Sequence, residues 1–545
     1  MTDMKDRGFG IRSFITVCLL VAVHLLLVMT AGSIPAHRLL FLFFFFSLVI
    51  LPGYLAASIL FPRARIYYKL LFSLVLGTAQ AFILLLAFSI FSFDIFYISL
   101  LAPVLTLALA YYRSRGTFSG FDLPHNTPLS TTVIIIMFLV VILVSTLTLG
   151  IGDALFYTGD AQDHMAYIRA IERSHRAFPD QFIYRDGGLL TRDIRRGLLH
   201  SVWGTANLLT TRSDVHTIWP IISWTGSLFL LLAIFCLGMQ FFDDQRIAIL
   251  GVIFYIFFFQ RGLAGHHMIT AAYGFHLGKI YLYAFMIFTL QYVRTSRKEF
   301  LLVAAAASFG AIGTHVSYVM IIPFFVFFLF IVELLRAGKD DRGRLLSRTV
   351  PLLAGAVLLI NLPYLLIRYF RDFHPANEIH THVHGMFVLT DDLAVLNPFL
   401  VSQADGVLKA VSLVAIFVLW KKSLSDSGLR LLLVLSAGLL VLVFNPLWVP
   451  FLIENITYLL VRFSAAVPTM LISAYLVFTL LKGRSGSLSK STVVIGGLIV
   501  ALLLLPAMVT NITDFSYGGS HREMRDRASA RNLSDPVSYT HLRAH

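Results

Sequence analysis

The sequence predicts an all-α fold, a polytopic bundle of transmembrane helices, and three observations carry that reading. Of the 545 residues 58% are hydrophobic and only 13% are charged, with a mean hydropathy of +0.81. A soluble chain of this length needs far more polar surface, so a bilayer must solvate most of it. The hydrophobic residues also fall in continuous runs of about 20, the length that crosses a hydrocarbon core as a helix. Finally, the runs lack the alternation of apolar and polar residues that marks a membrane barrel.

In chain order the runs are 11–30, 39–61, 70–92, 94–112, 129–150, 217–240, 245–260, 272–293, 299–314, 317–335, 349–369, 406–420, 429–446, 457–481 and 492–510. The expected count is thus about fifteen spans, with 245–260, 299–314 and 406–420 short for a crossing. Lys5, Arg7 and Arg12 precede the apolar stretch that begins at Ser13, as in a signal peptide. Ser13 to Thr30 is longer than a signal-peptide core, however, and no small-residue cleavage site follows it, so it reads as a retained span. No internal repeat is visible, which disfavours folds built from duplicated halves.

Basic residues set the expected orientation. They cluster at Arg63, Arg65 and Lys69, at Arg113 and Arg115, and at Arg294, Arg297 and Lys298. Further clusters are Arg336 to Arg348, Lys421 with Lys422, and Lys482 to Lys490. With this map every cluster falls on the side of the N-terminus, which the positive-inside rule assigns to the cytoplasm of a plasma (inner) membrane protein. Two long loops, 151–216 and 370–406, then lie on the external face. The net charge of +14 is accounted for by these clusters. They read as topology control and lipid headgroup contact, and nucleic acid is excluded as a partner. Cys18 and Cys236 lie in apolar runs without metal-site spacing, so no disulfide framework and no cysteine zinc site is expected.

The expected domain is 1–510, with 511–533 beginning an external C-terminal segment. The final string SDPVSYTHLRAH, 534–545, reads as translated adapter sequence foreign to the rest, with the natural chain continuing past about Leu533.

Residues able to carry chemistry concentrate in the external loops. The first holds Asp160 and Asp163, followed by Met165, Ile168 and Ile171 at helical spacing with Arg169, Glu172 and Arg173 among the polar positions. That pattern predicts an amphipathic helix lying at the membrane surface. Asp160 suits its N-cap, and an acid three positions later resembles a capping box. A helix N-terminus also keeps carboxylates ionised, able to accept a proton or to bind a divalent ion such as Mg or Mn.

Candidates to hold a lipid phosphate are Arg195 and Arg196 with Arg192 in the first loop, Arg368 and Arg371 at the end of a span, and Arg462 within one. An arginine in a span is costly, so Arg462 is expected to face a polar cavity or to snorkel to the nearby interface. The second loop carries His374, Glu378, His380, His382 and His384. In an extended segment the last four share one side, which suits a metal site or a polar tract that meets phosphates. His164 and His315 are placed to line the same cavity.

Asp160 and Asp163 followed by Tyr167-Ile168-Arg169, the ILPGYLAASIL stretch of the second span and the THVSY turn at His315 resemble the GT-C class of integral membrane glycosyltransferases, in particular bacterial members of undefined substrate. The resemblance implies sugar transfer from a polyprenyl-phosphate donor on the external face, with inversion and an aspartate as general base. It also implies an acceptor that is a glycan, lipid or protein. One departure is that four spans separate the first span from the acidic loop, where the better-known members place that loop directly after the first. A membrane transporter or lipid flippase is the alternative reading, and a non-catalytic membrane scaffold a third.

Overall fold

The computed structural model describes residues 11–30, 37–115, 128–150, 160–179, 184–185, 188–189, 197–210, 214–258, 272–372, 386–390, 393–397, 406–456, 460–464, 466–482, 491, 494 and 497–505. The terminal segments 511–533 and 534–545, parts of the first long loop and most of the second lie outside them.

The described residues are helical almost throughout. The helices before the first long loop are α1 (Ile11–Thr30), α2 (His37–Leu60), α3 (Ile66–Ile90), α4 (Ile95–Arg115) and α5 (Thr131–Gly150). Within that loop lie α6 (Asp160–Ser174) and α7 (Leu198–Leu209). There follow α8 (Val215–Phe242), α9 (Gln245–Phe258), α10 (Gly274–Thr295), α11 (Lys298–Thr314), α12 (Tyr318–Arg336) and α13 (Val350–Asp372). The last are α14 (Val407–Ser423), α15 (Ser427–Phe444), α16 (Val449–Ile456), α17 (Val461–Ser464) and α18 (Thr469–Lys482). Each long loop also holds a small antiparallel strand pair, Tyr184–Arg185 with Gly188–Leu189 and Met386–Thr390 with Leu393–Leu396.

Among the described residues eight helices are long and apolar enough to cross a membrane, so the chain is a multi-pass membrane protein of helical type. The expected count of about fifteen is not reached by length and composition. Two physical reasons account for part of the difference. Helices α9 and α18 have 14 residues each, about 21 Å of rise, against about 30 Å of hydrocarbon. Helix α10 is long enough at 22 residues but carries His276 and Lys279 in its first turns.

Contacts respect the expected alternation of helix ends. Ends assigned to one face meet each other, as where Arg38 donates to the Thr217 carbonyl at 3.2 Å and His175 pairs with Asp94 at 2.8 Å. Ends assigned to the other face meet likewise. Gln245 donates to the Pro128 carbonyl at 2.6 Å, and Arg294 joins Glu333 at 3.1 Å and Ser427 at 3.0 Å.

Helix α10 is the hub. Tyr281, Tyr283, Phe285 and Phe288 on it are at most 1% exposed, and it packs against α3, α8, α11 and α12. In a bilayer such association rests on close packing and interhelical hydrogen bonds rather than on expelling water. Helices α1 and α13 stay peripheral and turn Leu19, Leu26, Leu358 and Leu359 outward.

The tightest crossing is between α2 and α3. A Cβ on Gly53 would sit 1.8 Å from the Ser73 carbonyl oxygen, and one on Gly77 1.8 Å from that of Val49. Neither obstacle is a movable side chain, so Gly53→Ala and Gly77→Ala should each cost about 1–3 kcal/mol through forced backbone shifts. Thermal unfolding in detergent should show both losses. Gly355→Ala, with nothing within 4 Å of the new methyl, should show none.

Candidate functional site

The site is built where α6 and α7 dock on one end of the helix bundle, against α3, α8 and α11. Helix α6 buries Ala161, Met165, Ile168 and Ile171, each at most 2% exposed, so the spacing read from the sequence does produce one apolar face. That face rests on protein, chiefly α7 and the start of α8, and Glu172, read as one of the polar positions, is buried and accepts a 2.6 Å hydrogen bond from Asn207. Every residue of α7 is buried. At 12 residues it is too short for a span. The sequence reading missed it for that reason. At its start Gly197 lies against α11, where a Cβ would be 2.0 Å from the Gly313 carbonyl oxygen.

Two polar contacts pin α6. His175 at its C-terminal end accepts the Ile95 amide on its carbonyl at 3.1 Å as well as pairing with Asp94. Arg169 donates to Asp214 at 2.6 Å, and Asp214 also accepts the His216 amide at 3.3 Å at the start of α8. Partial burial pushes the Asp214 carboxyl up, but the hydrogen bonds from Arg169 and His216 outweigh it and hold the group below its ordinary value of 3.8. A depressed carboxylate stabilises the fold above its unfolded pKa and stops doing so as pH falls through the folded one. The thermal stability gap between the native chain and Asp214→Asn should therefore be constant above about pH 5 and shrink on acidification below the ordinary carboxylate range. A gap that widens in acid would contradict this.

The first turn of α6 carries Asp160 and Asp163, whose side chains lie outside the described residues, and then His164, which can be followed. Its Nδ1 is 2.8 Å from Nε2 of His200 on α7, and its ring lies against Tyr273 (5.3 Å between centroids) and Trp219 (5.9 Å). Trp203 completes this imidazole and indole layer, 5.3 Å from His200 and 6.3 Å from Trp219.

Two residues along the chain from Tyr273 the character changes to cationic. Phe275 is the centre. The Arg462 guanidinium carbon is 5.2 Å from its ring centroid and the Lys279 ammonium 5.4 Å, both within cation–π reach. His315 lies edge-on to the ring at 6.0 Å, and Tyr318 stacks on it at 5.6 Å while donating its hydroxyl to the Phe275 carbonyl at 2.5 Å. Arg462 Nη1 is 2.6 Å from His315 Nε2, and the Ser317 amide faces His315 Nδ1 at 3.2 Å. Lys279 is fully buried.

The structure therefore brings His315 and Arg462 together and sets His164 in the adjoining layer. It differs from the sequence reading over Arg462. The run 457–481 is interrupted, and Arg462 stands on the short α17 ahead of α18 rather than inside a continuous span. Arg368 and Arg371 end α13, with side chains outside the described residues. Arg195, Arg196, Glu378, His380, His382 and His384 lie wholly outside them. Among the described residues no group of three or more His, Cys, Asp or Glu side chains could hold a metal ion. Lys279, Phe275, Tyr273 and His200 were missed. A lysine within an apolar run was the available signal, since such charges are rare and functional in membranes.

Next to the aromatic layer a narrow apolar crevice of about 20 Å³, room for little more than a water molecule, is lined by Leu199, Trp203, Ile222, Phe229, Leu277 and Tyr281 among others. Apolar side chains and one indole dominate it.

No protein-family model and no curated protein matches the chain. Among solved structures it is similar to the archaeal oligosaccharyltransferase AglB from Archaeoglobus fulgidus in complex with an inhibitory peptide and a dolichol-phosphate. That match has 12% identity and a TM-score of 0.46, over 71% of this chain and 56% of that one. The apo form of the Archaeoglobus fulgidus oligosaccharyltransferase gives the same values. The form tethered to an acceptor peptide containing the NVT sequon gives 10% identity and a TM-score of 0.45, over 71% and 55%. The chain spans little more than half the length of these structures.

Proposed function

We propose that this chain is a membrane glycosyltransferase that moves a sugar, with inversion, from a polyprenyl-phosphate donor to an acceptor hydroxyl on the external face of the plasma membrane. The observation that carries this reading is the gathering of Arg462, Lys279 and His315 around Phe275. That group adjoins the aromatic layer into which α6 projects His164, directly after Asp160 and Asp163. Cations and an imidazole at an outer helix end suit a lipid phosphate.

In this reading Asp163 takes the proton of the acceptor hydroxyl as its oxygen bonds to the anomeric carbon. The bond from that carbon to the phosphate oxygen breaks, and the departing phosphate keeps the electron pair. Arg462 and Lys279 offset the charge it gains. Arg368, Arg371, Arg195 and Arg196 are further candidates for the phosphate. The carboxylates of Asp160 and Asp163 are also ligands suited to Mg or Mn, which would supply additional positive charge there. Loss of turnover on chelation and its return with Mn would support that part.

A transporter or flippase needs ionisable side chains along a path through mid-bilayer. Lys279 lies in the second turn of α10 and Arg462 ahead of α18, which favours chemistry at the surface. The test uses proteoliposomes loaded with a polyprenyl-phosphate hexose and envelope extract as acceptor. The expected result is release of polyprenyl phosphate with label passing to an acceptor. Movement of intact donor between leaflets without that release would favour the alternative.

A further inference from the structure

His315 stands between two hydrogen-bond donors. Arginine is always charged in proteins and its guanidinium only donates, so the 2.6 Å contact from Arg462 requires Nε2 to accept. The Ser317 amide N–H is aimed at Nδ1 at 3.2 Å and requires that nitrogen to accept as well. A neutral imidazole carries one N–H and offers one acceptor, so only one of these contacts is a hydrogen bond at any moment. The shorter, charge-assisted one is the stronger. With Arg462 in place the proton therefore belongs on Nδ1, opposite the Ser317 amide.

Ser317 cannot move aside. It is 4% exposed, and its carbonyl accepts the Met320 and Ile321 amides at 3.2 and 3.3 Å in the first turn of α12. Arg462 stands on a one-turn helix and is partly exposed. Of these two donors the guanidinium, on a partly exposed side chain, is the one that a ligand can reach.

We propose that His315 is a tautomer-switched positioning residue for an oxyanion. When a phosphate oxygen takes the guanidinium of Arg462, Nε2 loses its donor. The Ser317 amide then captures Nδ1, and the ring presents Nε2–H to the same phosphate. The proton moves from Nδ1 to Nε2 by exchange with water, so the ring stays neutral and gains no proton overall. Two donors from separate segments, Arg462 on α17 and His315 in the turn after α11, thereby close on one oxygen, with Lys279 at the same Phe275 ring adding charge. The inference rests on the phosphate-binding reading above.

The test uses the full chain in detergent, labelled with ¹⁵N-histidine, with farnesyl phosphate as probe and His315→Gln for assignment. The expected spectrum shows a neutral His315 protonated at Nδ1 without the probe and at Nε2 at saturation. An unchanged tautomer at saturation, a doubly protonated ring, or no binding of farnesyl phosphate would overturn the proposal. Binding measurements supply the second arm. Glutamine can donate from the position of Nε2, so His315→Gln should stay within about threefold of the parent affinity, whereas His315→Phe should lose about tenfold or more. Equal losses in the two variants also count against it. Sugar transfer is assayed separately. A tautomer exchange without transfer would sink the glycosyltransferase reading alone, and transfer with a static His315 would sink this one alone.

Discussion

Asp163→Asn is expected to insert and fold like the parent chain while turnover falls by about 10² or more, the loss typical of a missing general base. The acid stands in the first turn of α6, where the helix dipole favours a charged carboxylate at neutral pH. Its neighbour His164 stacks on Tyr273, two residues from the Phe275 centre of the cationic group. Asn keeps the size of the side chain and much of its hydrogen bonding, so the change isolates charge. Asp160 is a less clean probe because it suits the N-cap, where replacement by alanine costs about 0.5–2 kcal/mol. Asparagine caps nearly as well, so Asp160→Asn should leave stability close to that of the parent. The measurement is release of polyprenyl phosphate in proteoliposomes, scaled to folded protein by size-exclusion. Full turnover in both variants would remove α6 from the catalytic centre.

The sequence made the membrane-helix class legible because runs of Leu, Ile and Phe admit no other solvent. It was less able to count crossings, because hydropathy cannot separate a short helix packed inside protein from a span. Helix α7 and the 14-residue α9 and α18 show the difficulty. Local pattern did locate α6. Met165, Ile168 and Ile171 repeat at helical spacing, and all three are buried. The surface on which they rest could not be read, since it belongs to α7 and α8, and Glu172 followed them inward because Asn207 supplied a partner. Within the site, Arg462 was visible as an isolated charge beside apolar residues. Its meeting with His315 joins positions 147 residues apart, a relation set by tertiary packing. Lys279 carried the same signal in a run that was read only for its length.

Arg462→Gln is expected to lower kcat/KM for the lipid-phosphate donor by about 10²–10³, the scale of removing one donor that stabilises developing charge. Two effects combine. The guanidinium attracts the phosphate in the ground state, which enters KM, and it meets the larger charge of the departing group in the transition state, which enters kcat. Arg462→Lys separates charge from geometry. Lysine keeps the charge on a single ammonium but lacks the planar fork, and it is expected to recover part of the loss, with kcat restored less than KM. Lys279→Met should act on kcat in the same direction, because its ammonium lies 5.4 Å from the Phe275 ring centroid and adds to the positive field of the same cluster. The double variant Arg462→Gln with Lys279→Met then tests whether one phosphate feels both. Losses smaller than the product of the single effects would show the two cations coupled through a common anion. Simple multiplication would place them on separate groups, and parent-like kinetics in Arg462→Gln would mean that the Phe275 cluster is not where the donor phosphate binds.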